Sequence, residues 1–372
     1  MQWVFWIAAS LIAYTYVGYV CWLRLRLLWR PRPVLRGPHT PFVSIVMIVR
    51  NEEQVLPKKL QNLLTLDYPE YEVVVVSDGS TDDTEAILRQ YQEKGQVQVL
   101  LKQIPEGKAS GLNDALQLAK GDIVVFTDAR QAIEPHAIRY LVENFADEEV
   151  GCVSGELMLG EAHSGETSQG LGLYWRIEKQ IRVLEAASGS MIGATGAIYA
   201  VRRELLVPLP KGIILDDVYS PMEVVKQGKR AVFEDRARAW DTPDLGTERE
   251  FSRKVRTLSG NYQLVQLAPW LVTKENPVRF EFVSHKLMRL AIPFALAAVL
   301  FSSMLLTATF YRVVLILQLV FYALSAFALT RRLKGGVLAR MADASGTFVL
   351  LNGAAAVALA NFVFGRKAAW TR

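Results

Sequence analysis

Residues 2–23 form an uncharged apolar run of about 22 residues, long enough to cross the hydrocarbon core of a bilayer as a helix. Residues 290–330 are almost continuously apolar, broken at Tyr311-Arg312, and residues 346–364 make a further run of small and apolar residues. These runs constrain the fold more than anything else, because backbone in lipid must satisfy its own hydrogen bonds. They predict one membrane helix at the start and three at the end, with 290–309 and 313–330 as a hairpin turning at Tyr311-Arg312. A cleaved signal peptide is the competing reading of the first run. It is disfavoured because the basic residues Arg24, Arg26, Arg30 and Arg32 follow the run instead of preceding it.

Those arginines, with Arg331, Arg332 and Lys334 behind a later run, form the positive-inside pattern. The expected topology has the N-terminus outside and the soluble part in the cytoplasm, at the inner membrane of a bacterium. Arg366, Lys367 and Arg372 run against the C-terminal end of that topology. Charged residues are 21% of the chain and apolar ones 51%, a mixture that fits one soluble domain joined to membrane helices. The net charge of +5 sits in the flanking clusters. It points to the lipid bilayer, not nucleic acid, as partner. Two cysteines and four scattered histidines (His39, His136, His163, His285) suggest neither a disulfide framework nor a zinc site. The chain divides into a membrane helix (1–24), a basic juxtamembrane linker (25–40), a soluble domain (41–261), an interfacial segment (262–289), three membrane helices (290–366) and a tail (367–372).

In the soluble domain, FVSIVMIV (42–49) is an unbroken, β-branched apolar run, as expected of a strand buried on both faces of a parallel sheet. Residues 71–77, 97–101, 122–127 and 150–156 read the same way, with helix-like stretches near 56–66, 82–94, 109–120 and 135–145 between them. Alternation of this kind predicts an open, twisted α/β sheet whose ligands bind at the carboxyl ends of the strands. Those ends are polar: RNEE (50–53), SDGSTDDT (77–84) and DARQ (128–131), with GKASGLNDAL (107–116) opening a helix on a lysine. Singly, each piece has a plainer explanation. Asp78-Gly79-Ser80 reads as a turn, Asn51 as a cap, and Lys108 as a solvated lysine. Together they form an edge suited to an anionic, sugar-bearing ligand.

ILDDVYSPMEVVKQ raises a separate question, because Asp216 and Asp217 place two like charges directly after an apolar stretch. One answer is a helix start, where carboxylates meet the dipole favourably. The other is a general base whose pKa is lifted by burial and a neighbouring carboxylate.

VSIVMIVRNEE, VVVVSDGSTDDT, GKASGLNDAL, FTDAR and the aspartate pair together resemble the membrane-bound enzymes of glycosyltransferase family 2, the relatives of cellulose, hyaluronan and poly-N-acetylglucosamine synthases. The resemblance covers about residues 40–290. It implies a GT-A-type, Rossmann-like fold flanked by transmembrane helices, a nucleotide-diphosphate sugar donor, commonly a UDP-sugar, and a divalent metal, Mg²⁺ or Mn²⁺. By resemblance Arg50, Asn51 and Glu52 border the nucleotide, and Asp78 accepts from the base ring. Lys108 lies near the phosphates, and Asp128 is the first acid of the metal-binding Asp-x-Asp motif. Asp217, beside Asp216, is the base of an inverting transfer, and Arg256 grips the diphosphate.

Two departures stand out. Arg130 occupies the place of the second metal-binding acid, where it either meets the diphosphate through its forked donors or pairs with a neighbouring acid. In RKVRTLSGN (253–261), Arg253 and Thr257 stand where processive relatives carry glutamine and tryptophan. A threonine cannot stack on a sugar, which weakens the case for a polymer held in one channel. Arg253, Lys254 and Arg256 also read as a basic patch near headgroups. GATGAIYAVRREL (193–205) either lines the sugar pocket or is a turn into a strand, and the helix-like 172–185 carries Tyr174 and Trp175 toward core or acceptor. The expected function is a membrane-anchored inverting glycosyltransferase in polysaccharide synthesis, acting on a glycan or lipid-linked acceptor beside polysaccharide-export partners. Single-sugar transfer to a polyprenyl phosphate or glycolipid is the first alternative. A catalytically dead membrane scaffold or nucleotide-sugar sensor is the second.

Overall fold

The computed structural model describes residues 1–160, 172–242, 247–330 and 336–365. Arg331, Arg332, Lys334, Arg366, Lys367 and Arg372, and the side chains of Tyr174 and Trp175, lie outside the described residues.

Four parallel strands form one half of the sheet: β1 (Val43–Val49), β2 (Tyr71–Asp78), β3 (Gln98–Lys102) and β4 (Ile123–Phe126). Every residue of β1 is buried, as its unbroken apolar run requires when helices cover both faces. The crossovers are α3 (Leu56–Leu64), α4 (Thr84–Glu93) and α5 (Lys108–Leu118). β5 (Ala132–Ile133), α6 (Ala137–Glu143), β6 (Val150–Leu159), α7 (Gly172–Ser188), β7 (Tyr199–Arg202), α8 (Asp216–Lys226) and β8 (Arg230–Asp241) follow. Among the described residues the sheet has eight strands in the order β3-β2-β1-β4-β7-β6-β8-β5. β7 runs antiparallel between β4 and β6, and β5 runs antiparallel to β8. The expected α/β sheet is present, but half of it is mixed. β8 alternates half-buried and buried residues along its second half, a weaker signal than the solid runs of the parallel strands.

Among the described residues four helices are long and apolar enough to cross a membrane: Gln2–Trp29, Arg279–Leu305, Thr309–Ala328 and Met341–Val363. The first comprises α1 (Gln2–Ala13) and α2 (Tyr19–Trp29) joined by a π turn at Tyr14–Gly18. The second comprises α10 (Arg279–Phe282), a π turn at Val283–Leu287 and α11 (Met288–Leu305). Then come α12 (Thr309–Thr330) and α13 (Gly336–Val363). Before them α9 (Thr247–Leu267) packs on α13.

Four boundaries differ from expectation. α9 crosses position 261 without a break, and the second apolar helix begins at Arg279 instead of 290. The hairpin turns at 306–308, because Tyr311 is buried edge-on against Phe5 at 4.9 Å and so belongs to the helix contact. The last helix starts at Gly336, ahead of its expected start at 346.

His285, expected to be isolated, is clasped between two buried acids of α7. Its Nδ1 is 2.9 Å from Glu185 and its Nε2 is 3.1 Å from Glu178. Glu178 also accepts from Arg289 at 2.8 Å, Glu185 from the Tyr19 hydroxyl at 2.7 Å, and Arg26 pairs with Glu281. Burial opposes the Glu178 charge, but His285 and Arg289 outweigh it and hold its carboxyl well below the usual range. This lattice ties both N-terminal and α10–α11 helices to α7. Removing one member of a buried charged pair costs about 3–5 kcal/mol. His285→Ala is therefore expected to lower stability by about that amount, read as earlier thermal unfolding in detergent. An unchanged midpoint would show that the lattice contributes nothing.

Candidate active site

The site lies at the carboxyl edge of the parallel half-sheet. Asn51, just past β1, adopts φ 54°, a left-handed conformation that asparagine tolerates better than most residues. That bend lets its amide donate to Ser80 Oγ at 3.1 Å while its side chain accepts from the Thr81 amide at 2.8 Å. The Glu52 amide donates to Thr84 Oγ1 at 2.8 Å. The loops after β1 and β2 are thus zipped together, with half-buried Arg50 at their head.

Asp78 ends β2 and is fully buried. Its two oxygens accept from the amides of Glu106 and Gly107, both at 2.8 Å. Asp78 is thus engaged, through both oxygens, by backbone amides of the loop after β3. Its effect is on the neighbouring element. Gly107 has φ 93°, a conformation that favours glycine, and α5 starts at the next residue, Lys108. Asp78 therefore fixes the point from which Lys108 departs.

The Lys108 ammonium is 3.1 Å from Asp128 and 3.1 Å from Asp216. It bridges the turn after β4 to the start of α8. Burial disfavours its charge, but Asp128, Asp216 and Asp217 outweigh burial and raise its pKa above the ordinary lysine value. The solvated-lysine reading does not hold.

Asp216 and Asp217 occupy the first turn of α8, so both readings of the pair apply: they begin a helix and they face the site. Pro221 lies inside this helix. It has no amide hydrogen for the carbonyl four residues back, which is that of Asp217. The Ala194 amide takes the place, donating to the Asp217 carbonyl at 2.7 Å. This stitches the 193–196 turn to the aspartate. Burial first, and the Asp216 carboxylate second, push the Asp217 carboxyl up to about 6, against the opposing charges of Lys108 and Lys286. A Cβ added to Gly196 would lie 3.5 Å from an oxygen of Asp128 and 3.5 Å from an oxygen of Asp217. The two carboxylates therefore face one small space, kept open by a missing side chain.

Arg130 takes the ion-pair alternative, with Nη2 3.2 Å from Asp241 at the end of β8. Arg256 is half-buried on α9, one turn before Gly260 on the same helix face. A Cβ at Gly260 would come within 2.7 Å of Leu215, so α9 presses on the segment that delivers Asp216. Gln263 holds that segment too, accepting from the Ile214 amide at 2.9 Å. Among the described residues no group of three His, Cys, Asp or Glu side chains is arranged to hold a metal. Asp128 can nonetheless supply one oxygen to a magnesium-type ion, which keeps waters and substrate phosphates as its other ligands.

Residues 44–207 match the family described as Glycosyl transferase family 2. This segment is a family 2 glycosyltransferase domain. The chain is 32% identical over 171 residues to a Beta-monoglucosyldiacylglycerol synthase of Nostoc sp., covering 45% of this chain and 36% of that one. It is 25% identical over 194 residues to a Poly-beta-1,6-N-acetyl-D-glucosamine synthase of Staphylococcus epidermidis, covering 50% of this chain and 46% of that one. The chain thus spans less than half the length of these two relatives. A mannosyltransferase from Pyrobaculum calidifontis, solved in complex with GDP-Man and Mn²⁺, has the same fold. It superposes with a TM-score of 0.72 at 22% identity, over 98% of this chain and 100% of that one. The GT-A-type fold expected from the motifs is present in this family 2 domain.

Gly196→Ala would place a methyl between the two carboxylates at ordinary contact distance, with no clash to relieve. Stability is expected to stay within about 0.5 kcal/mol, while donor turnover falls at least several-fold. Equal turnover in the alanine variant would mean that no ligand enters this space.

Proposed function

We propose that this chain is a membrane-anchored inverting glycosyltransferase that moves a sugar from a nucleotide-diphosphate donor to a glycan or lipid-linked acceptor. One observation carries the reading. Just beyond the segment that matches family 2, Asp217 is half-buried beside Asp216, has its carboxyl raised to about 6, and faces the same space as Asp128, which lies within that segment. A carboxylate tuned toward neutrality is a better general base than an exposed one.

In this mechanism Asp217 takes the proton from an acceptor hydroxyl as its oxygen attacks the anomeric carbon, opposite the departing diphosphate, so that configuration inverts. Lys108 and Arg256 compensate the charge that collects on the diphosphate. The Asn51 turn and the Asp78-anchored loop shape the nucleotide end, with Arg50 and Glu52 at its border. Asp128 would hold a divalent ion, which would neutralise diphosphate charge when bound. Arg130 acts through Asp241, at the far side of the 128–131 turn.

The resemblance to family 2 synthases favours a UDP-sugar, and the similar Pyrobaculum fold with GDP-Man makes GDP-mannose the second donor to try. The four apolar helices support an integral membrane protein. With the basic clusters of the sequence, they favour a cytoplasmic catalytic domain at a bacterial inner membrane, adjoining polysaccharide-export partners. A lipid acceptor is a specific second reading, supported by the relative that makes glucosyldiacylglycerol and by Thr257 in place of a sugar-stacking tryptophan.

Purified protein in detergent with magnesium or manganese is expected to release UDP or GDP from its donor, and a chelator to suppress that release. Asp217→Asn should keep nucleotide affinity and lose about 10²- to 10⁴-fold in turnover, the usual contribution of a general base. Full turnover in Asp217→Asn would sink the base assignment. Nucleotide binding without release in the unaltered protein would favour the sensor reading. Product length then separates a polymer from a single transfer.

A further inference from the structure

α3 buries Leu56, Leu60 and Leu63 on one face, and the residue that completes this stripe is Lys59. A lysine at a core position of an amphipathic helix breaks the pattern that makes such a helix pack. Lys59 is 3% exposed. Its ammonium donates to Thr127 Oγ1 at 2.8 Å and to the Gln131 carbonyl at 2.6 Å. These two acceptors are the ends of the turn that carries Asp128 and Arg130. The Thr127 hydroxyl in turn donates to the Ala197 carbonyl at 2.9 Å, next to Gly196. One turn further along α3, Asn62 exchanges two hydrogen bonds with Ile133, both at 2.8 Å.

We infer that Lys59 is a positioning residue for sugar transfer, setting from beneath the sheet edge the turn that presents Asp128 and, through Thr127, the Gly196 space. This inference rests on the transferase reading above. The alternative is a lysine that merely fills the core. Leucine or methionine would do that without desolvating an ammonium, since unpaired buried charge is strongly unfavourable. The geometry gives a reason for the charge: a single ammonium closes the 127–131 turn at both ends. Burial lowers the Lys59 pKa to about 7, with Asp128 acting in the opposite direction.

The closing experiment is a double-mutant cycle on full-length protein in detergent. Lys59→Met is expected to lower kcat/KM for the nucleotide-sugar about 10- to 100-fold, as loss of an outer hydrogen-bond partner does, and to leave the acceptor KM unchanged. In an Asp128→Asn background the same substitution should cost less than about 3-fold, because the group it positions is already disabled. Thr127→Val, which leaves the Gln131 bond in place, should give a smaller loss in the same direction and covers the case in which Lys59→Met does not fold. If the unaltered protein turns over donor and Lys59→Met matches it, or if the loss is the same in both backgrounds, Lys59 is a core residue only. If the unaltered protein turns over no donor at all, the transferase reading falls and this inference falls with it.

Discussion

The Lys108 ammonium, 3.1 Å from each of Asp128 and Asp216, is the contact on which the site depends. Without it, three carboxylates from two distant parts of the chain would repel one another across a partly desolvated cleft, at separations where each pair interaction amounts to several kcal/mol at intermediate dielectric. A structure with Asp128, Asp216 and Asp217 converging therefore needs a cation placed before any ligand arrives. Lysine suits this role better than arginine, because a compact ammonium on a flexible stem can transfer from one carboxylate to an incoming phosphate without breaking a bidentate fork.

The placement of that ammonium is indirect. Asp78 holds the Glu106 and Gly107 amides, Gly107 supplies a backbone conformation that favours glycine, and the helix starts at Lys108. On the opposite wall, Pro221 leaves the Asp217 carbonyl without its helical partner, and the Ala194 amide takes that bond. Both walls are thus fixed by backbone hydrogen bonds whose donors sit in loops. Side chains hung on such loops keep their geometry without large apolar contacts of their own, and the cleft stays open to solvent and substrate.

The parallel half of the sheet was legible because β1, β2 and β4 are largely buried and carry solid apolar runs, while half-buried β3 keeps an apolar centre. The order of polar motifs at their carboxyl ends also located Asp78, Lys108, Asp128 and Asp217 on one edge. What was not legible has a common physical reason. β5 and β8 are a two-residue strand and an alternating strand whose pairing depends on distant partners. The choice of Arg130 between diphosphate and Asp241 is made by the end of β8, more than a hundred positions along the chain. The hold of Asp78 on the Glu106 and Gly107 amides is a contact that a motif does not reveal. Lys59 did leave a signal, as the charged member of an otherwise apolar helix stripe. So did Glu178 and Glu185, seven residues apart and therefore on one face of α7.

That face of α7 explains how a cleft at a sheet edge can keep a defined relation to the apolar helices. Van der Waals packing between apolar helices in lipid discriminates poorly among rotations and depths. Buried hydrogen bonds discriminate strongly, because each misplacement leaves a polar group unsatisfied. Tyr19, His285 and Arg289 all bond to Glu178 or Glu185, so the two helices can settle on α7 in one register only. α7 ends at Ser188, and the turn that follows carries Ala194 to the Asp217 carbonyl and Gly196 to the space between the carboxylates. A continuous covalent and hydrogen-bonded path therefore runs from the apolar helices to the reacting edge.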